Sequence, residues 1–464
     1  MLSFRGPTDR YGRREFLRIG SLALGGMSLP GLLSARASAA ASGRPVSGKS
    51  VILLFMHGGP SQIETFDPKM TAPDGIRSVT GEVATTIPGV TYGGTFEKLA
   101  QLAHKIAVVR SFTTGDARHD IKPVVSRDTF GGNLGSVYSR IAGTNDPRSG
   151  MPTNTVLFPQ SVDPETQPAV RNFGRLEATG TLGAGFAPFV PGAGGELQQD
   201  MHLSLPLGRL DDRRALLTAL DRAKWAFEAA RGRGTLDKIR MQAFDTIVGG
   251  VSDAFDLGQE DPRTLARYDT SKLVPPEKIS KKWNNHKNYA DNAKTLGKLL
   301  LLARRLCERG CGFVTVTTNF VWDMHADKNN AGMEEGMRYM GVPFDHAVSA
   351  FIEDVAARGL SDQILLVATG EMGRTPVLNH RGGRDHWGNL APLLVTGGGL
   401  PMGQVVGQST RDASRPLTEP ITIRHLVSTI MHTLLDVGQL RLTPGIPNEI
   451  TRALADWPPI PAFF

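Results

Sequence analysis

Four strongly apolar runs constrain this chain more than any other feature: KSVILLFMHGG (49–59), GFVTVTT (312–318), ILLVATG (364–370) and APLLVTGGG (391–399). A strand with one wet face alternates apolar and polar residues. A run that is apolar at every position reads as a strand buried on both faces. Segments of helical period separate these runs. VPFDHAVSAFIEDVAARG (342–359) has Pro343 in its first turn and Gly359 past its end, and ITIRHLVSTIMHTLLDVG (421–438) closes at Gly438. Residues 95–109 give a helical segment running into a strand that ends near Val109, and TVLFP (155–159) adds another strand. Strands alternating with helices predict a doubly wound α/β fold, a mostly parallel sheet covered on both faces.

The 464 residues suffice for one large domain, placed here at 43–464. Residues 110–206 are rich in Gly, Pro, Asn and Thr and read as a long loop region, a feature often tied to function. Residues 207–310 read as a helical insertion, in which Trp225 and Phe227 are expected to be core. Its last helix ends LLLLARRLCERGCGF. Cys307 and Cys311, the only cysteines, are expected to be free thiols, because no third Cys or nearby His completes a metal set.

The formal charge of +7 is unevenly placed. Residues 1–39 hold six arginines against Asp9 and Glu15, leaving only +3 for the rest of the chain. That residue of charge, with no basic stripe interleaved with aromatics, argues against nucleic acid as a partner. The leader joins Arg13–Arg14 to a short, Gly-rich apolar core (19–33) and ends in Ala37-Ser38-Ala39. It reads as a twin-arginine export signal with an A-x-A cleavage site, which predicts a periplasmic or extracellular protein with no stable membrane span after cleavage. A retained anchor is the alternative.

In open parallel sheets, ligands sit beyond the carboxyl ends of the strands, so the residues after each apolar run belong together. After the first run comes His57. After Val109 come Ser111, Thr113, Thr114 and His119. After 312–318 come Asp323 and His325, and after 364–370 come Glu371, Arg374, Arg384, Asp385 and His386. Carboxylates mixed with imidazoles suit a divalent metal, zinc first, with manganese, iron or calcium as alternatives. Arg374 and Arg384 are candidates for stabilising an oxyanion.

The paired-arginine leader together with HGGPSQIETFDPK (57–69), RSFTTGDARHD (110–120), WDMHAD (322–327), GEMGRTP (370–376) and GRDHW (383–387) resembles a widespread exported bacterial family of unknown function. That family is part of the alkaline phosphatase-like (sulfatase-like) superfamily. The resemblance implies a mixed, mostly parallel sheet sandwiched by helices, with a one- or two-metal hydrolytic centre acting on phosphate or sulfate esters. By position, Asp323, His325 and His386, with Asp385 beside it, resemble the superfamily's metal ligands. His57 falls where the first-strand metal aspartate usually sits. Glu371 stands in place of an Asp-His pair whose histidine is here Met372. Ser111, Thr113 and Thr114 lie where a nucleophile is expected, with His119 nearby. The sulfatase motif of Cys or Ser followed by x-Pro-x-Arg is absent, so formylglycine chemistry is not expected.

Two functions follow as expectations. One is an exported metal-dependent hydrolase of phosphate- or sulfate-type esters, taking an anionic ester or a polysaccharide. The other is a non-catalytic binding or assembly protein that keeps the fold around a degenerate site and pairs with another envelope protein.

Overall fold

The computed structural model describes residues 45–192 and 251–464. The leader and the helical pattern around Trp225 and Phe227 lie outside the described residues.

The apolar runs form the centre of a seven-stranded sheet. Its strands are β1 (Ser50–Phe55), β2 (Ala107–Val109), β3 (Asn154–Leu157), β4 (Phe313–Thr317), β5 (Ile364–Thr369), β6 (Leu393–Gly397) and β7 (Gln404–Val406). In space they run β7-β2-β6-β5-β1-β4-β3. β1 has a parallel partner on each side, with Leu53 opposite Thr315 of β4 and Val367 of β5. β3 pairs with β4, and β7 with β2, also in parallel. Among the described strands of this sheet, β6 alone runs against its neighbours, β5 and β2. A parallel return needs a crossover, usually helical. Residues 370–392 form no α-helix and lead straight back, so β6 is antiparallel. The fold is α/β, with a mixed, mostly parallel sheet.

Both faces of β1 are covered, which explains its apolar side chains. Ile52 and Leu54 pack into one core with helices α2 (His286–Glu308) and α3 (Met333–Ala357). Val51, Leu53 and Phe55 pack into a second core with α1 (Leu134–Ala142) and α4 (Ile423–Leu434). The described part of the helical insertion is fastened by charge. Arg304 of α2, almost fully buried, contacts Glu260 at 2.7 Å, Glu308 at 2.6 Å and Asp354 of α3 at 3.1 Å. Cys307 and Cys311 are free and buried, and burial pushes the Cys311 thiol up to about 12. No helix among the described residues is long and apolar enough to cross a membrane.

Three elements differ from expectation. Helix α3 begins at Met333 rather than near Val342, so Pro343 lies inside it. Gly336, Gly341 and Pro343 weaken the local helical signal, and burial of Met333, Met337, Met340 and Phe344 carries the helix through them. Helix α4 ends at Leu434, and Gly438 sits in a separate 3₁₀ turn. The 110–206 region holds α1 as well as β3. Asn133 caps α1 by accepting the Gly135 N–H at 2.7 Å.

Gly135 is fixed by packing rather than by backbone shape. A Cβ there would lie 2.1 Å from Asn154 Oδ1 and 2.6 Å from Phe313 Cδ1. Helix propensity alone favours Gly135→Ala by about 1 kcal/mol. The clash with β3 and β4 should reverse that sign, so the urea midpoint of Gly135→Ala should fall below that of the parent. A higher midpoint would show that this helix–sheet contact yields.

Candidate functional site

The loops after β1, β2, β4 and β5 meet beyond the carboxyl ends of those strands. Gly58 makes the approach possible. It has φ +116°, and a Cβ on it would lie 2.5 Å from the Asp323 backbone nitrogen. The His57 carbonyl accepts N–H bonds from Val321 and Trp322 at 3.1 and 3.0 Å, which joins the β1 and β4 loops.

Asp323 is the centre of the arrangement and is 3% exposed. Its Oδ1 lies 3.3 Å from His119 Nε2, 3.2 Å from His386 Nε2 and 2.6 Å from Arg374 Nη2. Its Oδ2 lies 2.9 Å from His325 Nε2 and accepts from Asn330 Nδ2 at 3.0 Å. Burial would raise the Asp323 pKa. The Arg374 guanidinium and the bonds from His119, His325 and His386 outweigh burial and hold it far below the usual carboxylate range. His119 is shifted the other way: burial would lower it, but Asp323 and Glu371 raise it.

Glu371 is fully buried and stands behind His119. Its Oε1 is 3.0 Å from His119 Nδ1, and its two oxygens accept the Gly58 N–H at 3.0 and 3.1 Å. His119, Asp323 and His386 form a group whose ligand atoms all lie within 4.8 Å of one another. His325 adjoins that group through the second oxygen of Asp323.

Arg374 and Arg384, both fully buried, are committed to the protein itself. Besides Asp323, Arg374 donates to the carbonyls of Gly58 and Gly59, the latter at 2.6 Å, and of Arg384 at 3.3 Å. Arg384 is paired with the equally buried Glu64 through Nε at 3.1 Å and Nη2 at 2.9 Å, and also donates to the carbonyls of Pro376, Ile76 and Arg77. The structure therefore does not bring Arg384 to the cluster. Asp385 is exposed and accepts from Asn379 at 3.0 Å. A two-residue ribbon sets His386 opposite Arg374, and alternation along it turns Asp385 away.

The remaining candidates stay outside the three-residue group, although His57 lies beside it and shares Phe173 and Phe320 with His119. His57 is 2% exposed, stacks on Phe55 and meets Phe320 edge-on, and its Nε2 has no hydrogen-bond partner. Burial lowers its pKa, so it stays neutral. Ser111 is fully buried in contact with Gly407. Thr113 donates to the Gly388 carbonyl at 3.0 Å, and Thr114 is buried. Met372 is fully buried where a Cβ on Gly59 would meet its Cγ at 2.6 Å.

A cleft of ≈ 340 Å³ opens onto the cluster. His119, Asp323, His325 and His386 line it, together with the stacked Phe173 and Phe320 and with Asn285, Asn288, Asn329 and Asn330. These asparagines escaped the sequence reading. The only hint was the pair of Asn-Asn dipeptides at 284–285 and 329–330, which periodicity does not reveal. Asn285 Nδ2 donates to Asn330 Oδ1 at 2.7 Å, so the start of α2 is tied to the residue that supports Asp323.

Residues 48–445 match the family described as Protein of unknown function (DUF1501). The chain belongs to that family. No match was found among curated proteins. Among solved structures, it is similar to the PsFucS1 sulfatase from Pseudoalteromonas sp., at 12% identity and TM-score 0.31, over 87% of this chain and 71% of that one. It is similar to the phosphonate monoester hydrolase SpPMH from Silicibacter pomeroyi, at 11% identity and TM-score 0.30, over 83% and 72%. The alkaline phosphatase from the Antarctic bacterium TAB5 shows 11% identity and TM-score 0.27, over 84% and 98%.

In this DUF1501 chain the Arg384–Glu64 pair anchors the ribbon that carries His386. Removing one partner of a buried ion pair strands the other charge. Arg384→Met should therefore lower unfolding free energy by about 3–5 kcal/mol in a denaturant titration. A loss under about 1 kcal/mol would mean that Glu64 takes up a proton or water in its place.

Proposed function

We propose that the protein is an exported, metal-dependent hydrolase of phosphate- or sulfate-type esters that works at His119, Asp323 and His386. The observation that carries this reading is the spacing of the donors. Ligands held tetrahedrally at about 2.0–2.1 Å from an ion are about 3.3 Å apart. The two imidazole nitrogens lie 3.3 and 3.2 Å from Asp323 Oδ1, two of the three edges of such a set, and within 4.8 Å of each other. Two nitrogens and one carboxylate suit zinc, manganese or iron and disfavour calcium, which takes oxygen ligands.

A divalent ion held by His119, Asp323 and His386 would supply Lewis acidity and an activated water. The protein groups supply the rest. Glu371 accepts from Nδ1 of His119, which fixes the tautomer whose Nε2 lone pair faces the cluster. Arg374 keeps Asp323 ionised. His325, on the cleft side of Asp323, is placed to exchange a proton with the leaving oxygen. Among the described residues no Ser, Thr or Cys lines the cleft, which supports water as nucleophile over Ser111, Thr113 or Thr114. The Arg13–Arg14 leader supports export.

One observation favours the non-catalytic reading. Arg374 Nη2 lies 2.6 Å from Asp323 Oδ1, the same oxygen the two imidazoles face, so the carboxylate is charge-balanced without an ion. Metal analysis separates the two. Protein isolated from its exported form should hold one divalent ion per chain and hydrolyse 4-nitrophenyl phosphate or sulfate, and His119→Ala and His386→Ala should lose both properties. If metal-supplemented protein binds no ion and turns over neither ester, the hydrolase reading falls.

Glu371→Gln offers a finer check, because it keeps the shape and weakens the acceptor behind His119. Metal affinity, measured by competition with a chelating dye, should drop about 10–100-fold. An unchanged affinity would remove Glu371 from the supporting role.

A further inference from the structure

Apart from the cluster itself, the cleft differs from a site built for a polyanion. Among the described residues no Lys or Arg lines it, and its charged lining residues beyond the imidazoles are Asp323 and Asp327. The polar side chains that face it are carboxamides. Asn329 and Asn330 are engaged within the protein, Asn329 with Asp327 and Asn330 with Asp323. The side-chain amides of Asn288 and Asn172 make no hydrogen bond among the described residues, and that of Asn285 has only its Nδ2 engaged, on Asn330. In the same lining Phe173 and Phe320 stack with centroids 4.4 Å apart and an interplanar angle of 27°.

A carboxamide offers two donors and one acceptor. An anionic group can use only the donors and is repelled by the acceptor. A hydroxyl uses both, since it donates one bond and accepts two. Free amides sharing a cleft with a stacked aromatic pair therefore match a ring that carries hydroxyls at its edge and C–H groups on its face. The volume, ≈ 340 Å³, falls at the small end of the roughly 300–1,000 Å³ range of ligand pockets. It suits one such ring rather than a long segment of polymer.

We propose that this cleft is a subsite for an uncharged, hydroxyl-rich unit, a sugar ring that bears the scissile ester, with Asn172, Asn285 and Asn288 bonding its hydroxyls and Phe173 and Phe320 packing on its face. This rests on the hydrolase reading only for the ester; the subsite itself stands on the lining. The cluster takes the one anionic group, and the rest of the bound unit is neutral.

Two measurements on the full chain keep the two ideas apart. The first is calorimetric binding of cellohexaose, maltohexaose and fully N-acetylated chitohexaose, with a heparin hexasaccharide as the polyanion, to protein stripped of metal. At least one neutral hexaose should bind with Kd of about 1 mM or tighter, and the heparin fragment should bind more weakly. The second compares kcat/KM for glucose 6-phosphate and glucose 6-sulfate with that for the 4-nitrophenyl esters. Asn172→Ala and Asn288→Ala should each lower the sugar-to-aryl ratio about three- to tenfold, and both remove side chains that hold nothing else in place. Binding by heparin alone, no binding by any neutral hexaose, or an unmoved ratio would overturn the subsite. Neutral binding without hydrolysis of any ester would uphold the subsite and overturn the hydrolase.

Discussion

The site depends on a guanidinium placed where water does not reach. Arg374 is fully buried, and a buried cation is tolerated only when its N–H groups and its charge are both matched. The carbonyls of Gly58 and Gly59 after β1, that of Arg384 just before His386, and the carboxylate of Asp323 after β4 do the matching. Three separate segments are thereby held at one point. The same contact keeps Asp323 ionised in the interior, and an ionised Asp323 is what gathers His119, His325 and His386 around it. The depressed folded pKa means that this charge contributes stability above the unfolded aspartate value. That contribution declines as pH falls below the unfolded value toward the folded one.

The stretch from Glu371 to His386 separates into roles that its composition does not announce. Glu371 and Arg374 sit behind the cluster, the first supporting His119 and the second Asp323. Arg384 belongs to a different pair, with Glu64, which fixes the far side of the ribbon. Only His386 reaches the cleft. Ribbon register accounts for His386 beside Arg374 with Asp385 turned away, whereas Arg384 precedes the ribbon and is held by Glu64.

The sheet was legible because burial on both faces leaves an unmistakable run of apolar residues, as in β1 and β5. The strand-end rule then collected His57, His119, Asp323, Glu371 and His386 from segments hundreds of residues apart. It could not rank them. Whether a carboxylate faces an opening or stands behind a histidine depends on side-chain direction, and a strand end does not specify that. Hence Glu371 was read as a ligand and Arg384 as a substrate contact, while three-dimensional contacts make one a support for His119 and the other a buried counterion to Glu64. The start of α3 was hidden for another reason. Gly336 and Pro343 oppose a helix locally, and only tertiary burial of the methionine face overrides them.

The cleft lining and the cluster are parts of one hydrogen-bonded body. Asn330 donates to Asp323 Oδ2 and accepts from Asn285, which stands at the start of α2, and Ala331 next to it donates to Tyr289 on the same helix at 3.1 Å. The first turn of a long, buried helix therefore sets the position of the carboxylate at the centre of the site. Buried networks of this kind are rigid when every member is satisfied and fail together when one is not. That coupling is why the fold can hold four ionisable side chains against one aspartate at the edge of a cleft, with Arg374 behind it supplying the charge that keeps the aspartate ionised.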